Sequence, residues 1–145
     1  MHLTLSFDPG RGGDLLTFAL SGEQLDAIEK ILREEIFDLK VSCVLLIDIA
    51  GNVISNINDG NIGHDAYSLA ALAAGNFGAV STMAKMIGED EFSLLFHKGE
   101  KESIHFSKVL DEFLLITIFG RDISLGFLRL KVGEAIEKVE KILAP

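Results

Sequence analysis

One cysteine in 145 residues, Cys43, leaves no intrachain disulfide and no cysteine-built zinc site to consider. Its neighbours Val41, Val44, Leu45 and Leu46 mark it as a small buried filler and not a reactive thiol. Cations are also scarce: 13 Lys and Arg stand against 22 Asp and Glu, a net charge of -9, and no stretch concentrates them. A surface that acidic repels phosphate backbones and anionic lipid, which argues against nucleic acid and membrane as partners. Long hydrophobic runs are missing too. Met1–Phe7 has no basic start and is interrupted at Asp8, unlike a signal peptide. Residues 66–84 carry no formal charge, but they are mostly Ala and Gly and hold too little hydrocarbon to drive insertion. A cytoplasmic chain is the expectation.

The usual chemical motifs are absent as well: no GxxxxGK[ST] phosphate loop, GxSxG elbow, HExxH pair or EF-hand loop occurs. Of the four histidines, His2, His64, His97 and His105, the last two fall on neighbouring strands and could approach each other. They lack a third ligand, so polar positions on a half-exposed sheet face are the better reading. Arg11, in the Pro9–Gly13 loop, reads as a loose surface residue and not an arginine finger. No catalytic residue, metal or cofactor is expected, and the chain is not read as an enzyme.

What is present is a regular succession of elements. Ser21 with Gln24 forms a capping box, and Leu25, Ile28, Leu32 and Ile36 give one apolar stripe, so a helix is expected over roughly 22–38. Val41–Ile49 is nearly all apolar, the pattern of a strand covered on both faces. Ala50-Gly51-Asn52 turns it back into Val53–Ile57. Asp48, just before that turn, is placed to order it. A second helix runs from about Asp65 to Ile87 and stops at Gly88. Strands Phe92–Lys98, Ser103–Val109 and Phe113–Phe119 follow on connectors short enough to force a meander, and Ser124 caps a third helix. Ahead of all this, residues 1–20 form an extension, either a hairpin or a loose lead-in, and residues 21–145 form the main domain.

The two most apolar strands, Val41–Ile49 and Phe113–Phe119, should be central and adjacent. The result is an α+β fold, an α/β/α sandwich. Its five-stranded antiparallel sheet carries helices one and three on one face and helix two on the other.

The second helix is unusual. On a helical wheel one side carries Leu69, Leu72, Phe77, Val80, Met83 and Ile87, expected on the sheet. The other carries Ala70, Ala71, Ala74, Gly75, Gly78, Ser81 and Thr82, with Lys85 the first charge. Glycine inside a helix costs about 0.5–1 kcal/mol relative to alanine, and a solvated surface gains nothing in return. Close approach by another backbone does, so this face reads as an intermolecular surface, for self-association or for a partner. The alternative, a helix covered on both sides within its own monomer or simple alanine-rich drift, stays open. Asn76 among the apolar residues is expected to bond buried backbone or its symmetry mate.

These residues bring a family into view. Leu46-Ile47-Asp48-Ile49-Ala50-Gly51-Asn52-Val53-Ile54-Ser55 resembles the hairpin of roadblock/LC7 domains. Ser68–Asn76, Met86–Phe92, Phe96–Gly99, Thr117–Phe119 and Ser124–Leu130 are similar in order to the MglB-like members of that family. The likeness covers about residues 22–143. It implies a homodimer in which the edge strands, here Phe92–Lys98, pair across a two-fold axis while the second helices lie side by side. Phe92, Leu94, Phe96 and Asn76 are then dimer-interface residues. It further implies that the paired helices receive one Ras-like, MglA-like small GTPase, at Ala71, Ala74, Gly75, Gly78 and Thr82, and stimulate hydrolysis without donating an arginine. MglB-like proteins carry a longer C-terminal tail linked to nucleotide exchange, whereas this sequence ends at Pro145, so the resemblance leaves exchange open.

Three functions compete at this level: GTPase activation by a dimeric platform, a scaffold that recruits a GTPase without altering hydrolysis, and a small-ligand sensor. The last needs a polar-lined pocket, for which buried polar candidates are few.

Overall fold

The structure, a computed structural model, describes residues 2–5, 18–60, 65–92 and 95–145. Arg11, His64 and Leu94 lie outside the described residues. At the N-terminus a short antiparallel pair joins β1 (His2–Leu5) to β2 (Phe18–Ser21), with Leu3 opposite Leu20. Ser21 then caps α1 (Gly22–Glu35) through the expected capping box: its hydroxyl accepts from the Gln24 amide, and the Gln24 side chain accepts from the Ser21 amide. This helix is shorter than the 22–38 expected. It breaks at Ile36, a single 3-10 turn covers Phe37–Leu39, and Lys40 adopts a left-handed conformation with φ 76°.

The main sheet contains β3 (Cys43–Asp48), β4 (Val53–Asn58), β5 (Leu95–Lys98), β6 (Glu102–Val109) and β7 (Phe113–Gly120). Their order is β4-β3-β7-β6-β5, all antiparallel, with β3 and β7 adjacent at the centre as expected. Every residue of β3 is buried, as is every residue of β7 from Phe113 to Phe119. Strand pairing also defines which faces they serve. Val44 and Leu46, with Phe113, Leu115 and Phe119, join Ile28, Leu32 and Ile36 of α1 and Leu128, Val132, Ala135 and Val139 of α3 (Leu125–Leu143). The alternate residues Cys43, Leu45, Ile47, Leu114, Ile116 and Ile118 join Ala70 and Ala73 of α2 (Ala66–Met86) on the other face. Three layers result, with α1 and α3 together on one side of the sheet and α2 alone on the other.

Both later helices are capped by the residues the sequence offers. Asp65 accepts from the Tyr67 amide at 2.9 Å at the start of α2, and Ser124 accepts from the Phe127 amide at 3.2 Å at the start of α3. Helix α2 ends on Gly88, φ +90°, where the Glu89 amide reaches the Ala84 carbonyl at 2.9 Å and the Gly88 amide reaches that of Lys85 at 3.1 Å. That is the two-bond glycine stop expected of a helix C-terminus. Among the described residues no helix is long and apolar enough to cross a membrane.

Candidate functional site: the outer flank of the second helix

Helix α2 meets the sheet through alanines. Ala70, Ala73 and Ala84 are buried, with Ala66, Leu69, Ala74 and Phe77 packed beside them. Leu69 and Phe77 face the sheet as expected, but the rest of the inward face is corrected. Leu72, Met83 and Ile87, expected on the sheet, are 74%, 53% and 70% exposed, and Ala70, expected on the bare face, is fully covered. The strands below explain the exchange. Leu45, Ile47, Leu114 and Ile116 already fill the space above β3 and β7, so a close-lying helix must present small side chains there.

The opposite flank is as bare as the sequence indicated. Ala71, Gly75, Gly78 and Thr82 are exposed, Ala74 is half-buried, and the shoulder beside them carries Leu72, Met83 and Met86. A β-carbon added at Gly75 or Gly78 would meet nothing within 4 Å. The Thr82 hydroxyl donates back to the Gly78 carbonyl at 3.0 Å, so this polar residue is satisfied inside the helix and offers mainly its methyl group outward. Lys85 is the one charged side chain in the 21 residues of the helix. A water-facing flank of a surface helix normally carries Lys, Glu and Arg. This one does not: Lys85 aside, it exposes only small or apolar side chains and a hydroxyl already bonded within the helix.

The candidate dimer residues are distributed differently from one another. Phe92 is 39% exposed just ahead of β5, which forms one edge of the sheet. Phe96 turns inward, stacking on Phe119 with ring centroids 5.9 Å apart, so at the edge it presents its backbone and not its ring. Asn76 is half-buried on α2, on the same side as exposed Leu72 and Met83.

Beside the flank stands a tightly built turn. Asp48 is 5% exposed, and its carboxylate accepts from the Ala50 amide at 3.0 Å, the Asn52 amide at 2.8 Å and the Asn52 side chain at 2.9 Å. It orders the β3–β4 turn, as the sequence indicated. Gly51, φ +97°, passes so close to α2 that a β-carbon there would lie 3.2 Å from the Cα of Ala71. Exposed Ile49 sits in the same turn.

The histidines do not come together. Phe96 pairs with His105 and His97 with Ile104, so the two rings leave opposite faces of the sheet. His97 stands edge-on to Phe106 on the α2 side, at 5.8 Å. His105 is not on a half-exposed face: it is 4% exposed, beneath α3. Its Nδ1, and Oγ1 of its cross-strand partner Thr117, are buried with no hydrogen-bond partner among the described residues. Burial, helped by the nearby Arg129 guanidinium, pushes the imidazole down to about 4, so it is neutral near pH 7. Desolvation likewise pushes the Cys43 thiol up to about 11, in keeping with an inert filler. No group of three or more His, Cys, Asp or Glu among the described residues is placed to hold a metal ion.

With this geometry in place, the likeness to known proteins is informative. The model of the Roadblock/LC7 domain matches residues 34–119. Myxococcus xanthus MglB is 35% identical, with 86% of this chain and 93% of that chain covered and a TM-score of 0.77. The gliding protein MglB of Thermus thermophilus is 27% identical over the same shares, with a TM-score of 0.76. An MglB solved in a tetrameric arrangement is 26% identical, again over 86% and 93%, with a TM-score of 0.77. No protein of curated function matches the sequence. The family model spans more than half of the chain, and the Myxococcus protein aligns over nearly all of its own length. This chain therefore belongs to the roadblock/LC7 domain family.

Proposed function

We propose that the chain is a dimeric regulator of a Ras-like small GTPase, binding it on the outer flank of α2 and stimulating GTP hydrolysis as an MglB-like activating protein. One observation carries the reading: a helix flank made of Ala71, Gly75, Gly78 and Thr82 is exposed and almost uncharged in an otherwise acidic protein. Covering it with a partner removes apolar surface from water and uses the glycines for close approach. The likeness to MglB supports the choice of partner. In this reading residues 1–20 are an extension ahead of the roadblock domain of residues 21–145. Two copies pair through β5, with Phe92, Leu94 and Phe96, and through the Asn76 side of α2, where Leu72 and Met83 add exposed apolar area.

The flank offers no group suited to proton transfer or to stabilising a phosphoryl transition state beyond Lys85, so any acceleration comes from reshaping the GTPase's own site. The same poverty of chemistry favours the second reading, a scaffold that recruits the GTPase and leaves hydrolysis unchanged. Single-turnover GTP hydrolysis by the Ras-like GTPases of the same cell, with and without this protein, separates the two. Faster turnover supports the activator, and binding at an unchanged rate supports the scaffold. Absence of binding to every such GTPase refutes both.

A further inference from the structure

The bare flank of α2 is not bare at its start. Tyr67, the only tyrosine of the chain, precedes Ala71, Ala74, Gly78 and Thr82 by successive helical turns and so stands on their stripe. It is 72% exposed, and its phenol hydroxyl has no hydrogen-bond partner among the described residues. The turn that carries it is pinned. The Asp65 carboxylate accepts from the Tyr67 amide at 2.9 Å and from the Ser68 hydroxyl at 3.1 Å. The β3–β4 turn adds a second large apolar side chain at this end of the helix. Gly51 packs against the backbone of Ala71, one helical turn past Tyr67, and Ile49 in that turn is 47% exposed. Asp48 fixes the turn through its bonds to Ala50 and Asn52, so Ile49 is held in place before any partner arrives.

A lone exposed tyrosine would mean little. This one heads a helical stripe with no charge before Lys85 and has a second, rigidly held apolar residue on the turn beside that stripe. Charge selects the occupant. Exposed tyrosines also serve to stack nucleic-acid bases or to sit at a membrane surface, and a net charge of -9 opposes both phosphate backbones and anionic lipid. An uncharged stripe also gives a charged segment nothing to pair with. What fits is an apolar protein surface with a recess for the ring. Tyr67 and Leu72 diverge by about 140° around the helix, so the ring lies apart from the Leu72–Met83 shoulder assigned above to self-association.

Resting on the GTPase reading above, we infer that Tyr67 is the anchor of that dock: its ring enters an apolar recess on the Ras-like GTPase, its hydroxyl bonds a polar group at the rim, and Ile49 is the second contact. Gly75 and Gly78 set how closely the two backbones approach, and Tyr67 sets where along the helix the GTPase sits. A buried aromatic ring carries a disproportionate share of interface energy, and one held on a capped helical turn has little freedom left to lose.

Because the chain has one tyrosine, full-length protein made with fluorotyrosine gives a single fluorine NMR signal, from this position alone. Each Ras-like GTPase of the same cell, unlabelled and loaded with a non-hydrolysable GTP analogue, is added in turn while calorimetry reports binding. The GTPase that binds should shift or broaden the signal. Tyr67→Ala should weaken its binding at least about tenfold and Ile49→Ala about threefold, both through faster dissociation, with thermal melting and self-association unchanged. A fluorine signal that stays put while a GTPase binds, or alanine variants that bind as tightly as the parent, overturn the anchor and leave the flank reading standing. A parent protein that binds none of these GTPases overturns the reading on which the anchor rests.

Discussion

Gly51 and Ala71 meet backbone to backbone: the turn between β3 and β4 is pressed against the first half of α2, with 3.2 Å between the Cα of Ala71 and the position a Gly51 β-carbon would take. Two independent constraints fall on this one glycine, its left-handed φ of +97° and the lack of room beside it. Gly51→Ala should lower stability by about 1–3 kcal/mol, read as a lower urea midpoint with an unchanged slope. An unaltered midpoint would mean that the turn and helix are not in firm contact.

The carboxylate that braces the turn should matter to a similar degree. Asp48→Ala removes the nearly buried carboxylate that accepts from the Ala50 and Asn52 amides and should cost about 1–3 kcal/mol. Thermal melting checks this, and a loss under about 0.5 kcal/mol would show that water replaces the carboxylate freely.

Gly78 permits a cleaner separation of folding from function. Nothing lies within 4 Å of a side chain built there, and arginine is a better helix former than glycine. Gly78→Arg should therefore hold or slightly raise the melting temperature and still abolish capture of the GTPase. Retained binding at normal strength would remove the outer flank of α2 from the interface.

His105 makes stability depend on acid. Its folded-state value near 4 lies below the ordinary 6.5, so the unfolded chain binds the proton more readily. The neutral ring is harmless above about pH 6.5; as pH falls from there toward 4 stability drops, by roughly 3 kcal/mol in all. His105→Leu should flatten this part of the profile in urea titrations at a series of pH values. A slope identical in both proteins would place the acid sensitivity elsewhere.

Cys43 gives a direct probe of opening. Buried, with its thiol pushed up to about 11, it should resist Ellman's reagent in the native protein and react once urea unfolds the chain. Rapid modification under native conditions would contradict the packing of β3 beneath α2.

How far such features were legible in the sequence depended on how local their causes are. The capping box at Ser21 and Gln24, the Asp48 turn and the Gly88 stop each depend on neighbours within a few residues, and each was readable. Strand order followed from the unbroken hydrophobicity of β3 and β7, which only a two-sided core explains. Helix α2 was readable in its extent and in its bare flank, but only in part in which large residues face inward: Leu69 and Phe77 do, and Leu72, Met83 and Ile87 do not. Size is a guide to burial only where space is free, and above β3 and β7 it is not. The sheet takes Ala70 and Ala73 and leaves Leu72, Met83 and Ile87 outside. Likewise, pairing of His97 with Ile104 is a matter of register, which side-chain patterns on two short strands did not specify.

The alanine seam beneath α2 has a mechanical consequence. Apolar attraction grows with the area hidden, and Ala70 and Ala73 with half-buried Leu69 and Phe77 hide less than the leucines, isoleucines and valines that fasten α1 and α3 to the opposite side. Helix α2 is thus held to the sheet by less apolar area than the two helices opposite, so its seat on the sheet is the layer contact with the least burial to lose when the helix shifts.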